Sequence, residues 1–64
     1  MYVYVLVPNG AEWEDLTIYL TEEEAIMKSK MYPRFRVEIF HQTALGFRPQ
    51  YKYYSNGELC SYNQ

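Results

Sequence analysis

Apolar and polar positions alternate in short runs along most of this chain, and the runs are separated by turn residues and one helical stretch. From Tyr2 to Val7 β-branched and aromatic residues follow one another and predict a strand buried on both faces. Val3, Val5 and Val7 fall on one face, with Tyr2, Tyr4 and Leu6 on the other. Pro8-Asn9-Gly10 is turn chemistry. Leu16 to Leu20 alternates again and predicts a half-exposed second strand, with Leu16, Ile18 and Leu20 inward and Thr17 and Tyr19 outward. The period then changes. Thr21-x-x-Glu24 is a capping box, and three glutamates gather where a helix dipole is positive, so a helix is expected from Glu22 to Met31. Pro33 disfavours helix at Tyr32 and ends it. Ala25, Ile26, Ser29 and Tyr32 share one helical face. Met27 and Met31 fall nearly opposite, where they are exposed or held by a partner, unless the helix rotates slightly and Met31 frays into a loop.

Phe35 to Phe40 predicts a third strand, with Phe35, Val37 and Ile39 on one face and Arg36, Glu38 and Phe40 on the other. His41 to Pro49, including Gly46, is expected as a loop. Gln50–Ser55 and Glu58–Tyr62 flank Asn56-Gly57, the preferred pair for a type I′ hairpin turn. A two-residue loop sets Tyr54 opposite Leu59 and Tyr53 opposite Cys60. Tyr51, Tyr53, Cys60 and Tyr62 then form one patch, while Tyr54 and Leu59 lie on the other side. The order predicts one α+β domain over residues 1–64: a small ββαβ sheet, one covering helix and a C-terminal β-hairpin.

Composition adds a partner to this picture. The 64 residues include eight tyrosines, three phenylalanines and a tryptophan. A domain of this size buries only about 60% of the surface its unfolded chain exposes. Tyrosine tolerates a half-buried position, so the surplus rings point towards a protein partner. Tyr51, Tyr53, Tyr62, Met27 and Met31 are the candidate partner-binding residues. The alternative for Tyr51 and Tyr53 is to finish the core beneath the helix. Charge is segregated: residues 1–27 carry −6 and residues 28–64 carry +4, within a net −2. Such segregation suits a complementary protein surface or a second copy of the chain, although the helix dipole also favours acids before bases.

Candidate chemistry changes little. His41 is the only histidine and Cys60 the only cysteine, so neither a catalytic triad nor a zinc site can be assembled within the chain. Glu12-Trp13-Glu14-Asp15 lacks the alternating acids and central glycine of a calcium loop. No glycine-rich phosphate loop occurs. No catalytic, cofactor or metal residue is assigned, and a non-enzymatic role is expected. A single cysteine excludes an internal disulfide and fits a reducing compartment. The first apolar run is too short for a membrane span and lacks the cationic flank of a secretory leader, so neither membrane insertion nor secretion is expected. Arg34, Arg36, Arg48 and Lys52 lie among Phe35, Phe47, Tyr51 and Tyr53, a mixture that can stack unpaired bases. The isoelectric point near 5.2 argues against that role.

Glu12-Trp13-Glu14-Asp15 leading into Ile18–Ala25, then Tyr32-Pro33 with Arg36–Phe40, then Pro49-Gln50-Tyr51 with Tyr53-Tyr54 and Asn56-Gly57, resembles small uncharacterised proteins encoded by large DNA viruses of eukaryotes. Tyr53–Leu59 alone also resembles one unit of a membrane-occupation-type repeat. The viral resemblance implies a minor capsid or virion component that contacts larger subunits, located in the virion or the host cytoplasm. It carries no catalytic residues with it. Two other functions stay open: a soluble module binding a host or viral regulator, and a single-stranded nucleic-acid binder.

Overall fold

Strand propensity and turn chemistry set most of the architecture. The computed structural model describes residues 1–8 and 15–62. The turn at Pro8-Asn9-Gly10 and the acidic stretch from Glu12 to Asp15 lie wholly or partly outside those residues. Five strands, β1 (Tyr2–Val7), β2 (Thr17–Tyr19), β3 (Arg36–Thr43), β4 (Gly46–Ser55) and β5 (Glu58–Ser61), form one sheet in the order β2-β1-β3-β4-β5. Every neighbouring pair is antiparallel. The helix α1 (Glu22–Met31) lies between β2 and β3 in sequence.

α1 begins where its cap is. Thr21 has extended backbone, and its hydroxyl accepts from the Glu24 amide at 3.2 Å, satisfying one of the free donors of the first turn. Glu22, Glu23 and Glu24 occupy the first turn, and Lys28 and Lys30 the last, as the dipole favours. Tyr32 closes the helix by donating its amide to the Lys28 carbonyl.

One sheet face packs against α1 through Tyr4, Leu6, Val37, Ile39 and Tyr54, with Ala25 on the helix and Tyr19, Ile26 and Phe35 at the margin. Ala25 and Ser29 are both fully buried, and their small side chains let the helix backbone approach the sheet. The Ser29 hydroxyl donates to the Ile26 carbonyl at 2.8 Å and accepts from the Gly57 amide at 2.8 Å. That second bond ties the β4–β5 turn to the helix. The turn itself is the expected type, with Asn56 at φ +51° and Gly57 at φ +83°.

Three expectations are corrected. On β2 the faces are reversed: Tyr19 packs against the core, while Ile18 and Leu20 are 63% and 68% exposed. Pairing of Tyr19 with Tyr4 and of Ile18 with Val5 forces this, because Tyr4 is on the helix side and Val5 is not. The expected loop from His41 to Pro49 is mostly strand. β3 continues to Thr43, and β4 starts at Gly46 after a tight turn at Ala44-Leu45. The Thr43 hydroxyl donates to the Gly46 carbonyl and accepts from the Leu45 amide, supplying turn chemistry that Ala44 and Leu45 lack. Gly46 has φ +107°, a conformation that only glycine adopts readily. Tyr32 leaves the buried helix face. As the C-cap it is no longer helical, and its ring stacks on Phe35 at 5.7 Å between centroids.

Candidate interaction face

The second face of the sheet carries the other set of alternating side chains. Val5 and Val7 come from β1, Arg36, Glu38 and Phe40 from β3, and Pro49 and Tyr51 from β4. With Leu16 and Tyr62 they line a cleft of about 490 Å³. Hydrophobic residues predominate in the lining, with a few polar groups on one side, a mixture usual in binding clefts of this volume. A smaller cleft of about 230 Å³ lies on the helix side beside Glu22 and Lys52.

A bulge shapes the mouth of the larger cleft. Glu38 pairs with Tyr53 and Phe40 with Pro49, so Ile39 alone on β3 faces three residues on β4, namely Gln50, Tyr51 and Lys52. Tyr51 absorbs the excess with φ +62°. For a bulky L-residue this left-handed conformation is uncommon and costs about 1–2 kcal/mol. Bulges of this kind re-aim side chains. Here Tyr51 is 57% exposed at the edge of the cleft. The Tyr51 carbonyl accepts from the Tyr62 amide at 3.2 Å, which holds the chain beyond β5 against the bulge.

Tyr62 lines the cleft and is itself anchored. Its ring meets that of Tyr53 at 4.8 Å, tilted by 41°. Its hydroxyl donates to Glu38 Oε2, the oxygen that also accepts from Arg36 Nε at 2.5 Å. The hydrogen bond to Glu38 raises the Arg36 pKa above its ordinary value. Burial, and then the hydrogen bond to Glu38, raise that of Tyr62. Arg36 and Glu38 therefore neutralise one another along a single strand. The result is a net-neutral polar group at the side of an apolar cleft.

The five candidate partner residues separate into two groups. Tyr51, Tyr53 and Tyr62 come together on the uncovered sheet face, and none of them packs beneath the helix; Tyr54 fills that position. Met27 and Met31 are on α1, 56% and 54% exposed, away from the cleft. His41 is half-buried within β3, opposite Tyr2 and Arg48, and its buried Nδ1 has no hydrogen-bond partner. Cys60 is a free, half-buried thiol opposite Tyr53. Among the described residues no group of His, Cys, Asp and Glu is arranged to hold a metal ion. No helix among them is long and apolar enough to cross a membrane.

Sequence reasoning missed Ser29 as a lock, the Arg36–Glu38–Tyr62 network and the strained Tyr51. Arg36 and Glu38 were legible as same-face neighbours two residues apart. Nothing local marks Tyr51, because tyrosine ordinarily disfavours positive φ. No protein family, curated protein or solved structure matches the chain.

Proposed function

We propose that this protein is a non-catalytic interaction module that takes an apolar segment of a larger protein into the cleft between Tyr51 and Tyr62. One observation carries the reading: a tyrosine held at φ +62° at the cleft mouth with more than half its surface in solvent. Strain of this kind persists where surrounding structure imposes it, and it concentrates at ligand clamps. The exposed ring gains little packing within the monomer to offset that strain, whereas a partner side chain between two rings would provide it. Aromatic anchors at the centre of an interface commonly contribute about 2 kcal/mol or more each. The setting implied by the sequence resemblance is a minor component of a virus particle, with a capsid subunit as the larger protein. In that setting, tagged wild-type chain is recovered from purified particles at fixed stoichiometry, and Tyr51→Gly/Tyr62→Ser, folded by circular dichroism, is not. Incorporation of the folded double variant at wild-type level refutes the cleft as the contact. A folded wild-type chain missing from particles points instead to a regulator-binding module in the infected cell.

A further inference from the structure

The outward side of α1 is self-complementary. At 100° per residue, Met27 and Met31 centre the side opposite buried Ala25 and Ser29. Glu23 and Lys30 border the methionines on one flank, the Lys30 stem lying over Gly57, and Glu24 and half-buried Lys28 border them on the other. The helix dipole accounts for acids before bases. It does not account for two adjacent methionines more than half exposed between them, with Leu20 also 68% exposed just before the cap. Among the described residues no ion pair engages Glu23, Glu24, Lys28 or Lys30, although Glu24 and Lys28 have the spacing for one.

We propose that two copies of this chain pair through α1, antiparallel about a two-fold axis. With the axis near Ile26 and Met27, Glu23 meets Lys30 of the second copy, Glu24 meets its Lys28, and Leu20 meets its Met31. Met27 meets its own symmetry mate. The midpoints of these pairs agree to within about one to two residues, or roughly 3 Å along the helix. Antiparallel pairing is required, because a parallel arrangement sets like charges side by side. A two-fold contact satisfies each pair twice, as isologous interfaces do. Methionine suits such a seam because its flexible side chain fills irregular gaps. α1 is ten residues long, about 15 Å, so the buried area is small and the dimer is weak and reversible. Because α1 covers the sheet face opposite the cleft, both clefts stay open in the dimer, and the pairing stands or falls independently of the cleft reading.

Sedimentation equilibrium of the full chain from about 10 μM to about 1 mM tests this pairing. The wild type should show a reversible monomer–dimer equilibrium that weakens as salt rises. Lys28→Glu/Lys30→Glu and Glu23→Lys/Glu24→Lys should each weaken self-association at least about tenfold, and an equimolar mixture should restore it. Should the Glu variant lose its fold by circular dichroism, Met27→Gln/Met31→Gln, which leaves the dipole charges in place, should still abolish the dimer. A wild type that remains monomeric to about 1 mM overturns the proposal. So does a dimer that survives the methionine substitutions unchanged, or a mixture of folded charge variants that associates no better than either alone.

Discussion

At residue 51 the backbone holds a bulky aromatic in a conformation suited to glycine. Replacing Tyr51 with Gly removes about 1–2 kcal/mol of left-handed strain while adding about 0.5–1 kcal/mol of unfolded-state entropy. The expected outcome is a urea midpoint equal to or above wild type, alongside the lost partner binding. A clear loss of stability would mean that the ring packs within the monomer and is not strained for a partner. Ser29 presents the opposite case, a polar side chain whose bonds are all internal. Ser29→Ala leaves the Gly57 amide without its acceptor and should cost about 1–3 kcal/mol in chemical denaturation. Amide exchange should identify the β4–β5 turn as the first place to loosen, because Ser29 joins that turn to the helix.

Among the elements, α1 depends on its cap and β3 on its burial. Thr21→Ala should cost about 1 kcal/mol, and Thr21→Ser much less, since serine keeps the acceptor for the Glu24 amide. Coincident urea melts for wild type and Thr21→Ala would show that the cap contributes nothing. β3 lies at the centre of the sheet, between β1 and β4, and its two faces are unequal. Val37 is fully buried against α1, so Val37→Ala removes two methyl groups and leaves a cavity, at a cost of about 2 kcal/mol. Arg36 on the uncovered face is more than a third exposed at its side chain. Solvent screening keeps the expected cost of Arg36→Ala to about 1 kcal/mol or less, and high salt should reduce it further. Equal losses at 36 and 37 would contradict the assignment of faces.

For the molecule as a whole, one hydrogen bond spans the core from the sheet to the first turn of the helix, the Tyr54 hydroxyl donating to Glu22 Oε2. Burial, and then this bond, push the Tyr54 pKa up from 10.0 to about 12. The folded state thus favours the neutral phenol more than the unfolded chain does. Its contribution to stability is complete below pH 10 and is lost as pH rises towards about 12. Urea midpoints should fall between about pH 10 and about pH 12, and Tyr54→Phe should flatten that fall. Tyr4, raised by burial and then by the Glu22 charge, adds in the same direction. An alkaline fall identical in wild type and Tyr54→Phe would place the responsible groups elsewhere.

Features that depend on near neighbours were legible along the chain. The limits of α1, its Thr21 cap, the stop before Pro33 and the Asn56-Gly57 turn all follow from interactions spanning about four residues. Alternation likewise divided each strand into two sets of side chains. It did not say which set meets the helix. On β2 that choice rests on the pairing of Tyr19 with Tyr4, two residues fifteen positions apart, and Tyr19 turned inward at the expense of Ile18. The strands through His41–Pro49 exist because β1, β3 and β4 satisfy one another's backbone groups across the sheet, and local composition there reads as loop. The bulge at Tyr51, the Arg36–Glu38–Tyr62 network and the Ser29–Gly57 bond were likewise decided by tertiary structure. Each joins residues that meet only after strand register has been set, and register is a property of paired strands that no single run of sequence contains.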